Sequence, residues 1–561
     1  MAMSKLSCIG LVLMVTCTQA VSAESLPSSS PHLAVGASLQ QPAEDVLQQH
    51  KAKQWVLEIA NDVSAIRYID KLAQLYHAIG YTPLWQDTFT ANEFEEQLRL
   101  LAQSGVSADY TRRYTLLQHF KNSNDWRQYD LLATDSLLAY MSYIESLPEF
   151  GRGWLFGAGV EPRLPAPSSV GLERLLSAVE VDRLRFFVAG LKPADDRYTQ
   201  IQLAIKELEQ AASQRWPGFY QQGIIRLGTR LKNPDGLITI LENLGDLQDY
   251  EAEQLREAKV RTYNIDLVNA IKSFQQRHGL KVDGTIGPKT RYWLAMPAKE
   301  RIRLLALNAQ RLHLWPAVHP SMLVVNIPDY ELTLWLDNKH VLDSKVIVGR
   351  PSRRTPLMTS TVASVVFNPY WNVPISIMRK DILPKARYDR GYLYRNDFRV
   401  IRSWTSSEQI PIHTIDWRIV NAKAFPYRLR QKPGKKNALG RFKFNIPNDN
   451  SIYLHDTPAK SLFNKDERAF SSGCIRVEHA DDLAMILLTY SGVTEQRVNE
   501  LKARTKTKTI GLNSRVKVHL IYQTAWVDNQ GQVNFRDDVY SYDRMSEMSQ
   551  KEEKFTIIYH E

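Results

Sequence analysis

Apolar positions recur at helical spacing through the first part of the chain and alternate through the last. From about residue 46 to 220, Trp55, Ile59 and Val63 fall on one helical face, as do Leu72, Leu75, Tyr76 and Ile79. Residues 131–147 (LLATDSLLAYMSYIESL) form a further strong helix, with Asp135 as one polar break, and 81–85 (YTPLW) closes the first helix pair in a turn. No acid pair or ligand cluster stands out here, so 46–220 reads as a helical scaffold. A smaller helical unit follows at 221–298, where Ala270, Ile271 and Phe274 share a face, Gly279 ends the helix and Pro288 starts the next. Residues 299–320 read as a connecting helix ending near Trp315. The texture then changes. Residues 322–349 alternate in short runs around Asp-Asn turns, as an antiparallel meander does, and 359–369, 441–447, 451–456 and 515–527 are further strand-like runs. Residues 481–491 (DDLAMILLTYS) are the one clear helix of this β-rich unit, which spans 321–530. Residues 372–438 are less regular, rich in aromatics and bases, and read as an inserted lid; 531–561 is a C-terminal extension with a charged tail. The predicted fold is multi-domain α+β.

Composition narrows the compartment and the partner. The 561 residues are too many for one core. A hydrophobic fraction of 44% and a net charge of +11 describe a globular chain that favours polyanions. No zinc finger, P-loop or base-stacking motif is present, so nucleic acid is not an expected partner. Lys5, the apolar run from Leu6 to Cys17 and the small residues Val21, Ser22 and Ala23 have the build of a secretory signal peptide over 1–23. The alternative is an uncleaved inner-membrane anchor, although twelve apolar residues span a bilayer poorly. Residues 24–45 are Ser/Pro-rich and read as a linker. Of the three cysteines, Cys8 and Cys17 leave with the signal, and Cys474 remains. A solitary thiol kept in an oxidising compartment is a candidate nucleophile.

Its surroundings strengthen that reading. In NSIYLHDTPAKSLFNKDERAFSSGCIRVEHADDLA (450–484), a strand ends in His455, and a loop returns Cys474 nineteen residues later. An imidazole beside a thiol can take its proton and later protonate a leaving amine. Gly473 lets an acyl group approach the sulfur and permits a strained turn, and the N–H groups of Gly473 and Cys474 are candidate oxyanion donors. Arg476 offers a fixed charge for a substrate carboxylate or for the turn. Asp456 follows His455, but adjacent strand residues face opposite ways, so its carboxylate is not the expected partner of the imidazole. His278, His313, His340, His413 and His479 are scattered and match no metal spacing. The basic run Arg428, Arg430, Lys432, Lys435, Lys436, Arg441, Lys443 reads either as a solvated loop or as an attractor of anionic polymer. Tyr370, Trp371, Tyr392, Tyr394, Trp404 and Trp417 are expected mostly in the core.

Two resemblances add to these readings. AIKSFQQRHGLKVDGTIGPKT, within 268–294, resembles the small three-helix peptidoglycan-binding domain of wall enzymes. Its basic residues Arg277, Lys281 and Lys289 would add a salt-sensitive component to wall binding. FNPYWNVPISIMRKDILPKARYD (367–389), NALGRFKFNIPNDNSIYLHDTP (437–458), SSGCIRVEHADDLA (471–484) and TAWVDNQGQVNFRDDVYSYD (524–543) resemble the YkuD-type L,D-transpeptidases, and the whole chain resembles their large Gram-negative form. The resemblance implies that Cys474 is the acyl nucleophile, His455 its base oriented by a backbone carbonyl, and Gly473, Arg476 and Ser472 part of the same motif, with no metal and no cofactor. Many relatives carry His where this chain has Ser472, which affects a substrate contact rather than nucleophile or base. It implies a periplasmic enzyme that takes tetrapeptide stems of peptidoglycan as donor and a stem amine as acceptor, forming 3–3 cross-links through a thioester. Wall-synthesis enzymes are further implied partners, and carbapenem-type inhibitors are expected to react. Water as acceptor would make the same site an L,D-carboxypeptidase, and another amine would attach a lipoprotein. A non-catalytic wall-binding protein is the remaining alternative.

Overall fold

The helical half of the chain is built around one long buried helix. In the computed structural model, which describes residues 41–60, 66–161, 163–315, 319–406 and 408–546, that helix runs Trp126–Gly153 and is fully buried from Leu131 to Tyr143. Helices Ile69–Ala78, Thr88–Gln103 and Ala108–Asn122 pack round it. Its polar break Asp135 is fully buried because it is paired: Arg113 approaches at 2.6 Å and the N–H groups of Arg67 and Tyr68 donate to the same carboxylate. A buried charge is tolerated only with partners of this kind. The first helix spans Gln41–Ile59 and so takes over the last residues of the expected linker. The expected signal segment (1–23) lies outside the described residues. Among the described residues, no helix is long and apolar enough to cross a membrane.

The expected connecting helix is observed at Ala298–Arg311 and does more than connect. Leu307 joins the core of the long-helix bundle, while Leu304, Leu305 and Ala309 join the core of the smaller unit. That unit has helices Pro234–Asn243, Asp249–Glu257 and Ile265–Arg277 and a seven-residue piece, Pro288–Leu294. Its core also receives Ala525, Val527 and Phe535 from the C-terminal part of the chain, so it is not closed within 221–298. Arg277, expected at a wall-binding surface, is buried instead: its Nε donates to Asp246 at 2.9 Å and its guanidinium bonds the carbonyls of Leu244 and Val533. Lys281 is exposed, and Lys289 pairs with Asp537 at 3.6 Å and with Glu467.

The last part is β-rich. Its meander is β1 Met322–Asn326, β2 Glu331–Leu336 and β3 Lys339–Gly349, antiparallel as the alternation predicts. β4 Met358–Thr361 and β5 Ser364–Phe367 lead to the insertion, whose strands are β6 Trp371–Asn372, β7 Phe398–Ile401, β8 Gln409–Ile410 and β9 Arg428–Gln431. The chain returns through β10 Phe442–Asn445, β11 Tyr453–His455, β12 Ala469–Ser471, β13 Ile475–Val477, β14 Lys508–Gly511 and β15 Lys517–Ile521, and ends on the hairpin of β16 Ala525–Val527 and β17 Val533–Phe535. The large sheet has the order β14-β5-β10-β11-β13-β3-β2-β1-β15-β4, with β12 beside β3. Phe367, Phe442, Phe444, Leu454, Ile475 and Val477 point to one face, where helices Ala480–Tyr490 and Glu495–Ala503 cover them. The second of these helices was not expected. The insertion is a small unit with its own four-stranded sheet (β6-β9-β7-β8) and its own core of Val373, Met378, Leu383, Leu393, Phe398, Val400 and Leu429. Only Trp417 of its six singled-out aromatics is fully buried; Trp371 and Tyr392 pack against the core, and Tyr370, Tyr394 and Trp404 are exposed.

Candidate active site

Strand register assembles the site. In the centre of the sheet Lys443 on β10 lies opposite His455 on β11, and His455 lies opposite Arg476 on β13. Residues paired across a sheet share a face, so these three side chains form a row on the face turned away from the Phe442–Leu454–Ile475 core. Cys474 stands two residues before Arg476, hence on the same face, diagonal to His455 and abreast of Tyr453. Tyr453 stands beside the thiol, where its N–H and hydroxyl favour the thiolate, and the carbonyl of Ser451 lies 3.9 Å from the sulfur. The structure thus brings together Cys474, His455 and Arg476 of the expected residues and adds Lys443 and Tyr453.

The turn before Cys474 is held from several directions. Gly473 has φ +118°, a region that favours glycine, and its carbonyl accepts the Thr355 hydroxyl at 2.8 Å. The Thr355 hydroxyl in turn accepts the N–H of Gly349 at 2.8 Å. Only glycine fits at 349, because a Cβ there would lie 2.2 Å from the Arg353 carbonyl. Tyr540 locks this crossing: its hydroxyl donates to the Gly349 carbonyl at 2.7 Å and accepts the Thr355 N–H at 3.0 Å. Ser472 accepts a bond of 2.9 Å from Arg353, which also pairs with Asp381 of the insertion (Nη2 to Oδ1, 3.2 Å). Trp371, on the first strand of the insertion, stands near the Tyr453 hydroxyl and lowers its pKa against the effect of burial. The bridge Asp381–Arg353–Ser472 therefore ties the insertion to the turn.

The imidazole is oriented by main chain. His455 Nδ1 lies 2.5 Å from the carbonyl of Asp456, and this bond leaves Nε2 as the nitrogen free to exchange a proton. The Asp456 carboxylate points elsewhere: it accepts the Arg441 N–H at 2.8 Å and pairs with Lys460 at 2.8 Å. Gly473 differs from expectation as an oxyanion donor, since its N–H is already given to Ser471 Oγ at 3.1 Å. The basic run is likewise not one loop. Arg428 and Arg430 lie on β9, whereas Lys443 is half-buried on β10, with Nζ 4.3 Å from the centre of the Tyr453 ring.

Burial moves the two reacting groups in opposite directions, and the neighbouring cations lower both. Burial, with Arg476 next, pushes the His455 imidazole down to about 3. Burial raises the Cys474 thiol, against the opposing effects of Tyr453, Lys443 and Arg476. The resting pair is therefore a neutral thiol beside a neutral imidazole, not a preformed ion pair. Burial also lowers Lys443, and burial followed by the neighbouring Arg350 lowers Arg476. The nearby carboxylates are engaged by other cations, Asp456 by Lys460 and Asp381 by Arg353. Among the described residues, Lys443, Arg476 and Arg350 face the sulfur side without a carboxylate partner, and Arg476 Nε is buried with no hydrogen-bond partner. Such a row attracts an anion. Sequence patterning missed Lys443 as a neighbour of the thiol, as well as Tyr453, Thr355, Trp371 and Tyr540. Tyr453 had a signal, its i−2 position to His455 on one strand; Tyr540, far along the chain, had none.

The family model described as "L,D-transpeptidase catalytic domain" matches residues 320–506, "Scaffold domain" matches 70–205, and "Putative peptidoglycan binding domain" matches 241–294. A Haemophilus influenzae protein bearing the name "Putative L,D-transpeptidase" is 31% identical over 479 residues, covering 85% of this chain and 79% of its own. Among solved structures, an L,D-transpeptidase from Mycobacterium smegmatis is similar at 11% identity over 36% of this chain, with a TM-score of 0.18; the chain spans 58% of that structure's length. The L,D-transpeptidase (residues 123–326) from Xylanimonas cellulosilytica is 12% identical over 54% of this chain and all of its own, with a TM-score of 0.15. Neither score makes a whole-chain fold match. With a relative of 31% identity along most of the chain, and the family's catalytic region laid over the sheet that carries Cys474 and His455, the protein belongs to the YkuD L,D-transpeptidase family.

Proposed function

We propose that this protein joins stem peptides of peptidoglycan in the periplasm, exported by its first 23 residues, with Cys474 as nucleophile and His455 as general base. The observation that carries this reading is the row of Lys443, His455 and Arg476 beside a lone thiol, in which the cations have no carboxylate of their own. A donor stem ends in a carboxylate, and that group completes the row. As Sγ attacks the carbonyl carbon of the third stem residue, the thiol proton passes to His455 Nε2. The new oxyanion meets the Cys474 N–H, the main-chain donor left at the turn once Gly473 is bonded to Ser471. Collapse breaks the C–N bond, His455 returns the proton to the leaving D-alanine amine, and a thioester remains. The amine of a second stem then attacks the thioester, gives its proton to His455, and releases the thiol with a 3–3 cross-link. Water in place of the amine gives the shortened stem only. The bridge from Asp381 of the insertion through Arg353 to Ser472 favours the amine, because a lid held at the turn excludes water from the thioester.

The test is incubation of the purified chain with soluble disaccharide tetrapeptides, followed by mass spectrometry of the products. D-alanine release with 3–3 dimers is the expected result. Tripeptides alone would make the protein a carboxypeptidase, and no product from a folded protein would end the proposal.

A further inference from the structure

The insertion contains a cavity of about 1280 Å³ that plays no part in the reaction above. It is larger than the roughly 300–1,000 Å³ of an ordinary small-molecule pocket. Its walls come from β7, β8, the loop 411–418 and the segment after β9, and they carry Arg390, Arg395, Arg399, Arg418, Lys432 and Lys436 against Asp397 and Asp416. Arg418 pairs with Asp416 at 3.2 Å, and Arg395 pairs with Asp389. Lys436 Nζ bonds the Arg395 carbonyl at 2.7 Å, and Arg399 bonds the Gln409 amide. Arg390 and Lys432 have no ion-pair partner among the described residues. Tyr394, 79% exposed, offers a ring face at the same wall. A hollow with this excess of cations is a site for an anion, and its size calls for an oligomer rather than a single ion.

Position narrows the occupant. The insertion's sheet runs β6-β9-β7-β8, with β6 at the Tyr453 hydroxyl and β7 and β8 at the cavity. Two strand spacings separate β6 from β7, the near wall of the cavity, about 10 Å. An extended peptide covers about 3.3–3.6 Å per residue, so the three stem residues on the glycan side of the reacting carbonyl have that reach. A stem with its third carbonyl at Cys474 can therefore place its glycan end toward the cavity. We propose that the cavity is a second peptidoglycan subsite, binding a non-reacting, carboxylate-bearing glycan–peptide segment of the polymer whose stem reacts at Cys474. This rests on the proposed function above. A concave site suits such a chain better than an acidic protein, whose interfaces are broad and nearly flat.

The experiment uses the full chain and the double variant Arg390→Glu/Lys432→Glu, two residues outside the reacting site. Fluorescence anisotropy measures binding of a labelled, uncross-linked glycan–tetrapeptide chain and of the isolated tetrapeptide; intact mass measures acylation of Cys474 by a carbapenem. The double variant is expected to bind the glycan–peptide chain about tenfold or more weakly at low salt, because charge-assisted bonds to two carboxylates are lost. Tetrapeptide binding and acylation should stay within about twofold, and retained acylation also shows that the fold is intact. Unchanged chain affinity overturns the proposal. Equal affinity for polyglutamate of matched charge, with the same loss in the variant, would assign the cavity to an acidic protein and also overturn it. The two readings separate cleanly: chain binding that depends on these residues, in a protein whose thiol is not acylated, keeps the subsite and removes the proposed reaction.

Discussion

Replacing Tyr540 with Phe removes one oxygen from a fully buried ring and nothing else. That oxygen donates to the Gly349 carbonyl at 2.7 Å and accepts the Thr355 N–H at 3.0 Å. Each buried group left without its partner costs about 1–3 kcal/mol, and the phenyl ring still fills the site, so the expected destabilisation is about 2–4 kcal/mol. The effect should also reach the thiol. Thr355 holds the Gly473 carbonyl through its hydroxyl, so a loosened Thr355 loosens the turn that presents Cys474. Misplacement of a reacting group by about 1 Å can cost on the order of 10²-fold in rate, and a fall of about 10–100-fold in carbapenem acylation is expected. Urea unfolding monitored by near-UV circular dichroism reads the first quantity, and timed intact-mass measurement reads the second. Tyr542→Phe is the control, because its hydroxyl makes no comparable bond among the described residues. A Tyr540→Phe protein within about 0.5 kcal/mol of the parent, acylated at the parental rate, would refute the argument that the turn is held from the C-terminal segment. Loss of stability with unchanged acylation would confine Tyr540 to a structural role.

Lys443→Met should lower kcat/KM about 10–100-fold for a donor ending in a free carboxylate, and the gap should narrow for the corresponding amide donor. An equal loss on both donors would show that Lys443 does not meet the substrate anion. His455 predicts a pH effect: the unfolded imidazole binds a proton near 6.5 and the folded one not until about 3, so the unfolded state holds more protons between these values. Stability from this group is therefore complete above about pH 6.5 and falls as the pH drops toward 3; a urea series on the parent and His455→Gln should show a smaller slope in the variant, and identical slopes would contradict the burial argument. Arg277→Ala should cost about 3–5 kcal/mol by stranding buried Asp246, with sacculus pelleting of the folded fraction unchanged; weaker pelleting without a change in melting would return Arg277 to a wall-binding surface.

The residues that were legible in the sequence owe it to local pattern. The strand before His455, the glycine at 473 and the spacing to Cys474 are all short-range features, and period-2 alternation locates β1 to β3. Strand alternation turns the Asp456 side chain away from the imidazole, whereas the backbone carbonyl at His455 Nδ1 was implied only by the family resemblance. Lys443 was visible only as one of seven bases, because its place beside the thiol depends on the β10–β11 register, which no single strand encodes. The insertion looked irregular because several of its strands are two to four residues long, too short to show a period. Arg277 looked like a surface base because its partner Asp246 lies 31 residues away and its carbonyl acceptor on Val533 lies 256 away. For the same reason the C-terminal extension could not be recognised as part of both the binding module's core and the active-site turn.

The proposed roles of Cys474 as nucleophile and His455 as its base meet their most direct test in one mass measurement. The parent chain, Cys474→Ala and His455→Ala are each mixed with a carbapenem, checked by circular dichroism, and weighed intact over time. With Cys474 as nucleophile, the parent gains the mass of one inhibitor, mapped by peptide analysis to the peptide containing Cys474. No gain is expected on Cys474→Ala, and a gain slowed by orders of magnitude on His455→Ala, since nucleophile and base act as a unit. Acylation of a folded Cys474→Ala protein, or parental rates in His455→Ala, would contradict these roles.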